Sequence, residues 1–228
     1  MHFLKLIGRP FALLAALAIA GSLNAQQPIA DKEYKLITPP QNTNSGKKIE
    51  VIEFFSYACP HCADFEPVLQ DWLKRKPKDV DYRAVPMVFR DNWKPLAKLY
   101  FSLEQMGLVD KYHMKVFDAI HKQGQQLFTD EAVTEWVVKQ GVDKTKFEQI
   151  YNSFGMDAKV QRAAAMGRAY GVQFTPSIAV NGKYWTGPSM VISPNGGLDM
   201  PRFFEVVDQL VAMERGKPAA AGGTKKKS

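Results

Sequence analysis

The sequence predicts an α/β fold in which a strand–helix–strand unit and a later hairpin and helix are separated by a block of helices. Three observations carry this. Lys48 to Ser56 is a near-continuous apolar run (Ile49, Val51, Ile52, Phe54, Phe55), typical of a strand covered on both faces, and it leads into a helical stripe of Phe65, Leu69, Trp72 and Leu73. From Pro95 to Gly171 the apolar periodicity is helical throughout. Asn181-Gly182, set between two short apolar runs, is a strong two-residue hairpin signal.

The 228 residues are 46% hydrophobic and 23% charged, an ordinary globular mix that excludes disorder, collagen and coiled coil. The formal charge of +7 is concentrated at the ends: removing Lys5, Arg9, Lys225, Lys226 and Lys227, five charges, leaves +2. A nearly balanced body gives no electrostatic reason to expect nucleic acid.

Residues 1–25 have the pattern of an export signal: basic Lys5 and Arg9, an apolar run from Phe11 to Ala20, then small residues up to a cleavage point after Ala25. That run is half of the ~20 residues needed to cross a bilayer. A polar segment from Gln26 to Lys47 precedes the first long strand. A helix follows, with Lys74, Arg75 and Lys76 in its last turn and Pro67 inside it, where a kink is expected. Val80 to Phe89 is a second strand, which Pro86 places at an edge or ends early. The helical block is marked by Leu96, Leu99, Tyr100 and Leu103, by Val116, Phe117 and Ile120, by Val133, Trp136 and Val137, and by Phe147, Ile150, Tyr151 and Phe154. Asp110, Thr129 or Asp130, and Asp143 are its expected caps. A helix from Asp157 to Tyr170, the hairpin Ser177 to Val180 with Lys183 to Trp185, and a helix from about Pro201 to Glu214 complete the order. The Gly- and Pro-rich segment from Trp185 to Met200 carries no function that its residues reveal.

The two cysteines, Cys59 and Cys62, enclose Pro60 and His61. As a structural staple the pair is poor, since closing so short a loop gives only ~2 kcal/mol against ~3 for 15 residues. Zinc would need two more ligands, with only His113 and His121 left beyond the motif once residues 1–25 are removed, and those two are expected on the helix surface. Haem attachment would need a histidine where Ala63 stands. A redox pair remains. Cys59 falls at a helix N-terminus, where unpaired N–H groups, and His61 if protonated, favour the thiolate. Glu53, within the apolar strand, is expected to be desolvated with a raised pKa, suiting a proton acceptor for the resolving thiol; a strand-edge glutamate reaching solvent is the alternative. Tyr57 and Phe174, beside the two active-site loops, are candidates for an exposed apolar rim, and Trp72, Trp136, Phe147 and Tyr151 are read as core.

The run Val51 to Cys62, Val-Ile-Glu-Phe-Phe-Ser-Tyr-Ala-Cys-Pro-His-Cys, closely resembles the active-site strand and helix of the DsbA family, and the resemblance extends to about residue 186. It implies a thioredoxin-like fold in two parts, 26–93 and 166–216, interrupted by an all-helical insertion at 94–165; the terminal run Lys225 to Lys227 is read separately as part of a disordered basic tail at 217–228. It also implies that Cys59 is the nucleophile, Cys62 the resolving cysteine and Pro176 a cis-proline facing them. Pro67 matches the kinking proline of thioredoxin-like helices, and Glu53 stands where the family has its proton-accepting glutamate. Thr175 departs from the valine of the best-known enterobacterial members, so substrate preference and potential do not carry over. By this resemblance the chain is a periplasmic, monomeric dithiol oxidase without cofactor or metal. Its substrates would be reduced, unfolded exported proteins, and a quinone-linked, DsbB-like membrane protein would reoxidise it. An isomerase or reductase is the alternative within enzymes, although the 22 residues from Gln26 to Lys47 are too few for an added dimerisation domain. A thioredoxin-fold peptide-binding or chaperone module is the alternative outside them.

Overall fold

A computed structural model describes residues 26–215; the expected export signal and the basic tail lie outside the described residues. The sheet has five strands in the order β1 (Lys35–Leu36), β5 (Tyr184–Thr186), β4 (Ser177–Val180), β2 (Ile49–Phe55), β3 (Val80–Pro86). Only β2 and β3 run parallel. Every residue of β2 is buried, because helices cover both faces of the sheet. Ile49 and Val51 pack under α1 (Pro60–Arg75) and α7 (Met200–Glu214) with Phe65, Leu69, Trp72 and Leu210. Ile52 and Phe54 face the opposite way, into a core shared with the helical block. That block comprises α2 (Lys94–Gln105), α3 (Val109–His121), α4 (Asp130–Lys139), α5 (Lys144–Tyr151) and α6 (Phe154–Ala169). Leu99, Phe117, Trp136 and Phe147 are buried there in one apolar cluster with Phe55, Tyr57 and both cysteines, so the redox motif sits where sheet and helical block meet.

Several boundaries differ from the sequence reading. The second strand stops at Pro86 instead of Phe89, since the chain leaves the sheet after Met87 N–H bonds the Phe55 carbonyl. Thr129 and Asp143 accept from the N–H groups of Ala132 and Lys146 and do cap α4 and α5. Asp110 does not cap α3: Gly107, at φ +69°, turns the chain so that Leu108 takes the N-cap place and Asp110 lies in the first turn. β1 was not expected; it is two exposed residues long and is held by β5. The segment after it bonds Gly182 through Gln41, and a Cβ on Gly182 would strike the Gln41 carbonyl, so the Asn181-Gly182 turn requires glycine for space as well as for its φ of +66°.

Candidate redox site

The end of β2 and the start of α1 place Cys59. Ser56 organises the turn between them: its hydroxyl accepts from Ala58 N–H at 3.2 Å and its carbonyl from Cys59 N–H at 3.0 Å. Cys59 is the N-cap of α1, and its carbonyl accepts from Cys62 and Ala63 N–H at 3.1 and 3.2 Å. Pro60 opens the helix, and no acidic residue in the first turn neutralises its positive end.

Both cysteines are free thiols, and their environments differ sharply. The Cys59 pKa is lowered to about 5, first by a hydrogen bond from the Cys62 thiol, then by Thr175 and by the Cys62 and His61 N–H groups, which together outweigh burial. Burial pushes Cys62, which has no exposed surface, far above the ordinary thiol range, and the neighbouring Cys59 adds to this. In its thiol form Cys59 Sγ donates to the Thr175 carbonyl at 3.4 Å. The Thr175–Pro176 peptide opposite the cysteines is cis.

Glu53 does not reach solvent. Alternation along β2 puts it on the face that carries α1, and its Oε2 accepts from the Tyr82 hydroxyl at 2.6 Å. Its Oε1 is buried with no hydrogen-bond partner. Desolvation raises its pKa well above the usual carboxyl value, and the negative charge of Glu66 raises it further, while the Tyr82 bond opposes both.

Two expectations are corrected. Tyr57 is not an exposed rim residue: it is 1% exposed, because α3 closes over it, with its hydroxyl 2.7 Å from His113 Nδ1 and its carbonyl 2.8 Å from His121 Nε2. His113 is accordingly buried and is not a surface residue; His121 is half-buried. Phe174 is half-buried, with its ring 5.0 Å from that of Trp185. Beside the cysteines lies an apolar groove of about 290 Å³, lined by His61, Phe65, Phe174, Pro176, Leu198 and Met200 among others. His61, which lines it, and Pro60, the residue before it, are both exposed. The wall formed by Leu198 and Met200 comes from the Gly- and Pro-rich segment that the sequence left without a role. Nothing in the composition of that segment set these two apolar residues apart from Met190, Val191 and Ile192 before them, and Leu198 is 52% exposed.

A family model described as Thioredoxin matches residues 44–191. The chain is 41% identical over 206 residues to the thiol:disulfide interchange protein DsbA of Bordetella parapertussis, covering 89% of this chain and 96% of that protein. It is 37% identical over 174 residues to DsbA of Pseudomonas aeruginosa, covering 76% and 82%. Among solved structures, Pseudomonas aeruginosa DsbA superposes with a TM-score of 0.75 at 35% identity, over 82% of this chain and 94% of that one. Oxidoreductase DsbA from Xylella fastidiosa superposes with 0.73 at 30% identity, over 82% and 98%.

Proposed function

Because the chain belongs to the DsbA family of thiol:disulfide oxidoreductases on a thioredoxin fold, we propose that it works as a periplasmic dithiol oxidase whose Cys59–Cys62 disulfide is donated to exported proteins. The observation that carries this reading is the asymmetry of the pair: one sulfur is held as an anion at the helix N-terminus and the other is buried and protonated. A thiolate that is a good leaving group makes the disulfide a strong oxidant.

In the oxidised protein a client thiolate attacks Cys59 Sγ. A client–Cys59 bond forms, the Cys59–Cys62 bond breaks, and Cys62 leaves with the electron pair. Its sulfur has no solvent contact, so its proton comes from inside, and Glu53, kept protonated by burial, is the donor. A second client thiolate then attacks the client sulfur of the mixed disulfide, and Cys59 departs as the stabilised thiolate. The client has lost two electrons and the protein has gained them; a quinone-linked, DsbB-like membrane protein takes them back. The groove beside Pro176 receives an extended client segment, with Phe174 and Leu198 as apolar contacts and the Thr175 backbone as its pairing edge. His61 and Pro60 border this opening, and the protein acts as a monomer after loss of residues 1–25. Among the described residues no helix is long and apolar enough to cross a membrane.

The test is oxidation of an unfolded dithiol peptide compared with reduction of insulin. Rapid stoichiometric peptide oxidation with weak insulin reduction is expected; efficient insulin reduction without peptide oxidation would identify a reductase, and inertness in both a binding module. Glu53→Gln should slow turnover and flatten its pH dependence between pH 5 and 8 while leaving a working pair, as followed by stopped-flow peptide oxidation. The same change should stabilise the fold at alkaline pH. A carboxyl whose folded pKa is raised contributes a stability that is complete below its unfolded value and lost as pH rises through the folded one, and glutamine removes that loss.

A further inference from the structure

The lining of the groove beside the cysteines includes one acidic side chain, Asp64. It stands on the α1 wall, three residues after His61 and therefore on the same helix face, with the buried ring of Phe65 next to it. The two other carboxylates of α1 are engaged: Glu66 accepts from Gln70 at 2.6 Å, and Asp71 pairs with Lys74 at 2.8 Å. Asp64 is exposed and, among the described residues, makes no hydrogen bond or ion pair. The facing walls bring it no partner. Phe174, Pro176, Leu198 and Met200 are apolar, Ser189 is uncharged, and among the described residues no lysine or arginine lines the groove. Nearby charges are spent elsewhere: Asp199 caps α7 by accepting from Arg202 N–H at 3.0 Å, and the Arg202 side chain is taken by Glu33 at 2.9 Å.

A single carboxylate on the wall of an apolar cleft suits a cation whose stem lies along the apolar lining, which describes the side chains of lysine and arginine. We propose that Asp64 is a specificity-determining residue, selecting client segments that place Lys or Arg close to the reacting cysteine. The position follows from helix and strand geometry. Asp64 is five residues along α1 from Cys59, about 7.5 Å at ~1.5 Å per residue, and an extended client spans that in about two residues at ~3.3 Å each. Side chains two apart in an extended segment point the same way, so the one two positions from the client cysteine turns toward the protein as the cysteine does. The groove lies to one side of the redox pair, and only one flank of the client enters it. Lysine there meets an opposite charge; glutamate meets a like one and is disfavoured. The inference names a client class for the redox site and rests on the reading above.

The test uses pairs of unfolded dithiol peptides that differ only in Lys or Glu two positions from one cysteine, before it in one pair and after it in the other. The quantity read is the Lys-to-Glu ratio of kcat/KM for oxidation by the full protein, divided by the same ratio for Asp64→Asn. Changes in Cys59 reactivity cancel within each ratio, and the peptides' own thiol reactivities cancel between them. At low ionic strength this quotient should be roughly 5-fold for one flank and close to 1 for the other, with the difference carried by KM. High salt should reduce the larger quotient toward 1. Asp64→Ser should match Asp64→Asn, and Asp64→Lys should reverse the preference on the sensitive flank. A quotient of 1 on both flanks overturns the inference, and so does an equal preference on both, which would reflect the overall charge of the protein and not the groove. If the wild-type protein oxidises none of the peptides, the redox reading itself has failed; if it oxidises all of them with the same preference as Asp64→Asn, only the assignment of Asp64 falls.

Discussion

Cys62→Ser should accumulate covalent adducts with client proteins while Cys59→Ser forms none, and either change should lower dithiol oxidation by at least about 10³-fold. With its pKa lowered to about 5, Cys59 holds about a hundred thiolates per thiol at pH 7. Cys62, fully buried and pushed upward by desolvation, stays a thiol. In Cys62→Ser the Cys59 thiolate attacks a client disulfide, one client sulfur leaves as thiolate, and no second sulfur remains within the protein to break the adduct. In Cys59→Ser the surviving sulfur is protonated and out of reach. Non-reducing electrophoresis with mass spectrometry of the adducts reads the difference directly. The opposite trapping pattern would make Cys62 the attacked sulfur and reverse the electrostatic assignment.

The second large effect concerns the fold itself: above neutral pH the reduced protein should be more stable than the oxidised one, and below about pH 6 the order should invert. Only the reduced form has a Cys59 thiolate. Its folded pKa of about 5 lies below the ~8.5 of an unfolded thiol, so its stabilisation is complete above ~8.5 and disappears as pH falls through 5. At pH 7 the two-unit gap is worth at most ~2.7 kcal/mol, and residual solvent screening trims that figure. Closing the four-residue loop gives the oxidised form only ~2 kcal/mol in the chain-entropy account. The margin is narrow at pH 7 and widens toward pH 9. Urea unfolding of both redox forms at pH 5.5, 7 and 8.5 should show the crossing; an oxidised form that is more stable throughout would remove the thiolate as the source of oxidising power.

Strong local periods made most of the fold legible. The apolar run of β2, the stripe of α1, the helical block and the Asn181-Gly182 hairpin each carry a signal within their own ten or twenty residues. Cys59 at the N-cap of α1 follows from the switch between the strand and helix patterns at the motif. What was missed depends on distant partners. β1 consists of two exposed residues whose only claim to a strand is pairing with β5. Tyr57 looked like a rim residue because it flanks the motif, and it is buried because α3, more than 50 residues later, closes over it. The spacing of eight between His113 and His121 contains no metal pattern, and among the described residues no cluster suited to a metal occurs. That same spacing places both rings on one helix face, a signal that gains meaning only once the loop they clamp is known.

The central claim, that a stabilised Cys59 thiolate makes this disulfide an oxidant, is tested most directly by the equilibrium constant of the Cys59–Cys62 pair against glutathione at pH 7, read from the fraction reduced across a series of redox buffers. A potential on the oxidising side of about −180 mV is predicted, nearer the ~−120 mV of DsbA, a member of this same family, than the ~−270 mV of thioredoxin. A value close to that of thioredoxin would contradict the account and make the protein a reductant.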